Sequence, residues 1–274
     1  MTRHAPDQGS PAPLPRRRLG RTSVLVPPIG FGAFKIGRSH GAKYPTSYAI
    51  PDEATAAAML NGVLDLGAAL IDTAPAYGSS EERIGHHLAA RRHEFTLVTK
   101  VGETLEETSP GCFESRHDFT PDAVRRSAEA SVERLGGPVD VLLVHADSRD
   151  AALARDLALI AAMERLRADG LAGAIGFSGK SAEGDRAALP WADAVMVEYH
   201  IEDRSGEALM EEASRRGVGV LVKKALASGH LPASDAIAFV LANRCVDCVI
   251  VGGLDLGRFA ANVAVARAVR GAGT

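Results

Sequence analysis

Four side chains of this 274-residue sequence, Asp72, Tyr77, Lys100 and His145, have the chemistry to deliver a proton to a polarised oxygen. A tyrosine hydroxyl titrates at roughly 10 and is a poor acid at neutral pH. A lysine ammonium beside it stabilises the phenolate and lowers that value, and an aspartate beside the lysine holds the ammonium in place. With that help Tyr77 is a usable general acid. His145, facing the same point, would hydrogen-bond a substrate carbonyl oxygen and orient it as negative charge develops there. Taken singly, each residue has an ordinary explanation: Asp72 as a turn cap, Tyr77 as a packed aromatic, Lys100 as solvated, His145 as a core imidazole. The set gains weight because each member falls at, or just after, the end of a short apolar run.

Those runs recur along the chain. After a predicted hairpin over residues 18–26 come PPIGFG from Pro27, AALIDT from Ala68, FTLVTK from Phe95 and VDVLLVHA from Val139. LAGAIGFS from Leu171, ADAVMVEY from Ala192, VGVLVKK from Val218 and VDCVIVGG from Val246 follow, making eight. Amphipathic segments alternate with them over residues 53–66, 80–91, 121–135, 151–168, 206–216, 234–243 and 256–270. Alternation of this kind predicts a parallel sheet covered by helices, and eight units close it into a (β/α)8 TIM barrel with an N-terminal β-hairpin. An open doubly wound sheet is the weaker alternative. In a barrel the chemistry belongs at the carboxyl ends of the strands, where Asp72, Tyr77, Lys100 and His145 all fall. Two long connections without regular structure, residues 33–52 and 101–120, are expected to be lids or pocket walls. Phe34 would form an apolar wall, with Tyr44 and Tyr48 at the entrance. The sequence stops four residues after Arg270, from which a mouth open on one side and broad substrate acceptance are expected.

Composition narrows the function classes. Hydrophobic residues at 46% supply a sizeable core, and a formal net charge of -3 offers no positive field for nucleic acid or anionic lipid. Residues 1–15, proline-rich and without an apolar run, read as a flexible tail, leaving 16–274 as one domain. Absence of a secretory signal and of a spanning segment points to a cytoplasmic protein, a monomer or weak homo-oligomer acting on a small molecule. Cys112, Cys245 and Cys248 form no disulfide framework. The Cys245–Cys248 pair has CxxC spacing but no companion ligands, so no metal site is expected.

The stretches RRLGRTSVLVPPIGFGAF, IDTAPAYGSSEERIGHHL, TLVTK and SVERLGGPVDVLLVH together resemble the aldo-keto reductase family, and the resemblance runs from about Arg17 to the end. It implies carbonyl reduction with a nicotinamide cofactor, NADPH, and a catalytic tetrad of Asp72, Tyr77, Lys100 and His145. It also implies cofactor contacts along Gly32, Ala33, Phe34 and Asp72, and at Ser178, which matches the serine that meets the nicotinamide carboxamide. Three family positions differ here: the asparagine after that serine is Gly179, the carboxamide-binding glutamine is Met196, and the aromatic that stacks on the nicotinamide is Lys223. Backbone groups of Lys223, Lys224, Ala225 and Leu226, continuing to Gly229, would follow the pyrophosphate. IVGGLDLGRFAANVAVA resembles the loop and helix start around the adenosine 2′-phosphate, with Gly252, Gly253, Arg258 and Asn262 in matching positions. Gly252 stands where the family often has a basic residue. A guanidinium at a helix start suits a phosphate, which favours NADPH over NADH.

Two other classes compete. AIGFSGKS ends in Gly179-Lys180-Ser181 after a strand and imitates a phosphate loop, which would make the protein a nucleotide hydrolase. Gly30, Gly32, Phe34 and Lys35 imitate half a dinucleotide fingerprint with its third glycine missing. A non-catalytic barrel that binds nucleotide as a sensor or subunit is the remaining alternative, since fold does not fix function.

Overall fold

The structure is a computed structural model that describes residues 14–41, 44–109 and 111–271. Eight parallel strands close into a barrel in chain order: β1 (Ile29–Gly32), β2 (Leu70–Asp72), β3 (Thr96–Val101), β4 (Val139–His145), β5 (Ala172–Ser178), β6 (Ala194–Glu198), β7 (Gly219–Lys223) and β8 (Cys248–Gly252). Each falls within one of the eight apolar runs, except that β3 continues one residue further, to Val101. Near-continuous hydrophobicity is what a strand buried on both faces requires. Eight longer helices alternate with them: α1 (Glu53–Asp65), α2 (Ser80–Leu88), α3 (Pro121–Leu135), α4 (Leu157–Ala168), α5 (Ala182–Ala188), α6 (Glu207–Arg215), α7 (Ala233–Ala242) and α8 (Leu256–Gly271).

Local chemistry sets the helix ends. The Asp52 carboxylate accepts from the Thr55 amide at 2.8 Å and opens α1; Asp156 does the same for α4 with the amides of Ala158 and Leu159. Pro121 begins α3, and Gly136, left-handed at φ 79°, ends it. The predicted helix over 151–168 is two pieces, Asp150–Leu153 and Leu157–Ala168, because the Asp156 cap starts a new helix. Helix α5 was not anticipated. It is only seven residues long and carries little apolar periodicity, and Ser181 caps it through the Gly184 amide.

The core has two layers. Leu70, Val98, Val141, Leu143, Ala174, Met196, Leu221 and Ile250 fill the barrel interior, and Leu19 and Val26 join them from the N-terminal hairpin. That hairpin pairs Arg17–Arg18 with Leu25–Val26 and plugs the amino-terminal end of the barrel. A larger shell of aliphatic and aromatic side chains lies between strands and helices. Positions 1–13 of the expected tail lie outside the described residues, while Leu14 is buried against this shell.

The connection 101–120 departs from expectation. It is a β-hairpin, Glu103–Ser109 against Cys112–His117, standing over the barrel mouth. Its alternating polar sequence has no apolar face to bury, so hydrophobic periodicity does not reveal it; all of Cys112–His117 is exposed. Residues 33–52 likewise include a short helix, Phe34–Gly37, before the irregular stretch. Among the described residues no helix is long and apolar enough to cross a membrane, and no three metal-ligating side chains gather. The three cysteines are free.

Candidate active site

Side chains alternate across a strand, so an inward-facing residue is followed two positions later by another. Leu70 is followed by Asp72, Val98 by Lys100, Leu143 by His145, Met196 by Glu198 and Leu221 by Lys223. The apolar interior therefore ends in a polar top layer. Register places its members side by side: Gly32 opposite Asp72, Asp72 opposite Val98, His145 opposite Ser178, Glu198 opposite Lys223, and Gly252 opposite Gly32.

Lys100 Nζ donates to Asp72 Oδ1 at 2.7 Å and to the Thr73 carbonyl at 2.8 Å, in a site closed to water. Burial works against the ammonium, yet Asp72 and Tyr77 outweigh it and raise the lysine pKa. Burial pushes the Asp72 carboxyl up while Lys100 pulls it back. Tyr77 ends a 3-10 turn, Pro75–Tyr77, and the Lys100 ammonium lies 4.7 Å from its ring centroid. The expectation for Tyr77 is corrected in one respect. Lys100 does pull its pKa down, but burial dominates and holds it at about 12, with Asp72 and Glu103 adding to the rise. The hydroxyl therefore stays protonated across the physiological range.

His145 meets Tyr77 edge to face, with ring centroids 6.2 Å apart. Burial lowers its pKa to about 4 against the opposing pull of Glu103, so the imidazole is neutral at pH 7. Its Nδ1 lies 2.8 Å from Glu103 Oε2, off the line of a hydrogen bond. Burial alone would raise Glu103; contacts with His145 and Ser115 overcome this and hold it at about 2. Sequence reasoning missed Glu103. The available signal was the Pro-Gly dipeptide in the sequence between two β-prone polar stretches, which marks a hairpin.

Phe34 packs edge to face on Tyr77 with centroids 5.1 Å apart and leans on Tyr44, at 6.5 Å. Tyr44 lines the mouth with Gly32, Phe34, Asp72 and Tyr77. Tyr48 is turned to its own loop, its hydroxyl donating to the Arg38 carbonyl at 2.6 Å. Lys35, which the sequence shows as part of the incomplete dinucleotide fingerprint, sits 3.7 Å from the centroid of the Tyr44 ring. Ala33 is buried beneath, its amide donating to the Asp72 carbonyl.

From the mouth a groove leads past Leu226, Gly229 and Gly252 into a cavity of ≈ 450 Å³ at the start of α8, bordered by Lys35, Gly253, Asp255, Arg258 and Asn262. Arg258 is 88% exposed and 3.4 Å from Asp255. Nothing lies within 4 Å of where a Cβ on Gly253 would stand, so the floor is bare backbone. The segment along the groove carries Lys224, Ala227 and Ser228 at φ 54°, 43° and 58°. Left-handed non-glycine residues are costly and concentrate at functional sites. Lys224 pairs with Glu198.

At the opposite side of the mouth Lys223 Nζ donates to Ser178 Oγ at 2.9 Å and to the Gly179 carbonyl at 2.6 Å. Burial lowers its pKa and raises that of its neighbour Asp185. Asp185 takes the Gly179 amide at 2.8 Å. Met196 is 2% exposed in the barrel interior, one layer below the mouth, and offers no amide to it. The phosphate-loop alternative fails on geometry. The amides of Lys180 and Ser181 and the Ser181 hydroxyl all donate to Asp150 Oδ2 at 2.7–2.9 Å, so a carboxylate of the chain already fills the cradle a phosphate would need.

An eight-stranded parallel barrel thus carries a buried lysine–aspartate pair beside a tyrosine, with a groove running off its mouth. The aldo/keto reductase family model matches residues 28–238, and the chain belongs to that family. A D-threo-aldose 1-dehydrogenase from Pseudomonas is 30% identical over 239 residues, 77% of this chain and 69% of that protein. An NADH-specific methylglyoxal reductase from Escherichia coli is 27% identical over 225 residues, 78% of this chain and 68% of its own length. This chain thus spans about two thirds of those relatives. A solved aldo-keto reductase structure from Pseudomonas aeruginosa is 40% identical, with a TM-score of 0.83 and 93% and 95% of the two chains covered.

Proposed function

We propose that this oxidoreductase reduces aldehydes or ketones to alcohols with NADPH, Tyr77 serving as the general acid. The observation that carries the reading is the buried Lys100 ammonium, fixed by Asp72 on one side and facing Tyr77 on the other. It stabilises the phenolate left when Tyr77 gives up its proton. A bound nicotinamide supplies hydride to the carbonyl carbon. Tyr77 donates its hydroxyl proton to the carbonyl oxygen, and Phe34 and Tyr44 keep water from the apolar side. The groove fits the rest of the cofactor: Arg258, Asn262 and the start of α8 suit a 2′-phosphate, and the bare backbone of Gly252 and Gly253 permits close approach. Lys223, held by Ser178 and Gly179, would donate to the carboxamide oxygen in place of the family's stacking aromatic and its glutamine. The test is NADPH consumption with small aldehydes by the wild type and by Tyr77→Phe. A loss of about 100-fold or more with cofactor affinity unchanged is expected of a deleted general acid; near-normal turnover in the variant would overturn the assignment.

A further inference from the structure

We infer that Arg38 is the positioning residue of Tyr77: its guanidinium joins the turn that carries the tyrosine to the first loop and to the hairpin over the mouth, and so governs delivery of the hydroxyl proton. The inference rests on the reductase reading and concerns how that reading's acid is held.

A three-residue turn has few hydrogen bonds of its own, so the direction of a side chain at its end depends on what else holds the backbone. The peptide group between Ala76 and Tyr77 is a rigid plane. Its N–H donates to the Ala74 carbonyl at 2.9 Å, and its carbonyl, on the fully buried Ala76, accepts from Arg38 Nη1 at 2.7 Å. Holding the plane from both sides fixes the point from which the Tyr77 side chain departs. A buried carbonyl that loses its partner is costly, so without Arg38 the plane would turn to find another. The ring is backed by the same group. Arg38 Cζ lies 5.7 Å from the centroid of the Phe34 ring, and Phe34 packs edge to face on Tyr77. Backbone and ring of the acid thus lean on one side chain.

The remaining donors of the guanidinium go elsewhere. Nε donates to the His40 carbonyl at 2.9 Å, within the first loop. Nη2 donates to Ser115 Oγ at 3.3 Å on one strand of the hairpin, and Glu103, on the other strand, lies 3.9 Å from Nη1. The Arg38 carbonyl accepts the Tyr48 hydroxyl, which ties the far part of the loop to the same residue. Only 11% of the Arg38 side chain is exposed. A planar fork can serve three chain segments in three directions; an ammonium on a flexible stem cannot. Arg38 does not touch the reacting atoms and acts through Tyr77.

The experiment follows NADPH consumption with a panel of small aldehydes. Arg38→Ala should lower kcat roughly 10- to 100-fold, the scale for a reacting group displaced by about 1 Å, with the NADPH Kd within about twofold of the wild type. Arg38→Lys keeps the charge without the fork and should remain low. Guanidinium ion, at concentrations far below those that denature, should raise kcat of Arg38→Ala by filling the vacated site, and methylammonium should not; a loss of general stability would not respond in this way. Proton–nitrogen NMR of labelled arginine on the wild type is independent of turnover and of any variant's folding: Nη1 and Nη2 of Arg38, held by different partners, should give separate, slowly exchanging signals. A single averaged Nη signal, a folded variant with kcat within about twofold of the wild type, or a lowered kcat that guanidinium raises no better than methylammonium overturns the inference while leaving the reductase reading standing. A wild type that consumes no NADPH with any of the aldehydes overturns the reading on which it rests.

Discussion

Lys100 and Asp72 meet at 2.7 Å in a buried site, so each offsets much of the cost of burying the other's charge. Removing one partner of a buried pair strands the other, at about 3–5 kcal/mol. Lys100→Met should lower stability by that order and reduce turnover about 100-fold or more, because the Tyr77 phenolate loses its nearest cation. Adding Asp72→Asn should recover stability but not turnover. Urea unfolding and steady-state rates on the three proteins check both halves.

Gly37 lies against the Tyr77 turn so closely that an added Cβ would stand 2.2 Å from the Tyr77 carbonyl oxygen and 2.3 Å from the Ser80 amide nitrogen. Both are backbone atoms, so the turn must move. Gly37→Ala is expected to reduce kcat by roughly 10- to 100-fold, since a displacement of about 1 Å in a reacting group costs that much. A folded variant with unchanged kcat would show that the turn has more freedom than its packing implies.

Arg258 extends into solvent at the start of α8. If it receives a 2′-phosphate, Arg258→Ala weakens NADPH by roughly 1.5–3 kcal/mol and leaves NADH nearly untouched. Fluorescence titration of both cofactors decides the matter; equal weakening would assign Arg258 to the fold. In the same titrations Lys223→Met should improve binding of the oxidised cofactor relative to the reduced one, because an ammonium beside the ring opposes its positive charge.

The pH dependence of stability follows from two groups in adjacent windows. His145 has its pKa depressed to about 4 from 6.5, so the unfolded chain takes up this proton first, and stability falls as pH drops from about 6.5 to about 4. Glu103 is depressed to about 2 from 4.5; its contribution is present above about 4.5 and lost as pH falls toward 2. Thermal melts of His145→Gln should be flatter than wild type in the upper window. A variant that tracks the wild type between pH 6.5 and 4 would place the acid sensitivity elsewhere.

The barrel and the identities of its top-layer residues are determined by the sequence alone, for a physical reason. Strands buried on both faces must be nearly all apolar, so Asp72, Lys100 and His145 at their ends stand out against Leu, Ile and Val, and period-2 alternation aims them inward. Only the tertiary structure decided their electrical state. A linear sequence shows that Lys100 can approach Tyr77, but whether charge or burial governs the hydroxyl depends on how much water remains, and here burial prevails. The same holds for Lys180 and Ser181, whose loop resembles a phosphate cradle until Asp150, thirty residues earlier, is seen filling it. Glu103 is the clearest case. It lies on a solvent-facing hairpin with no hydrophobic pattern to betray it, and it comes to His145 only because the hairpin folds back across the mouth; that contact between residues forty-two positions apart depends on packing, which no local spacing encodes.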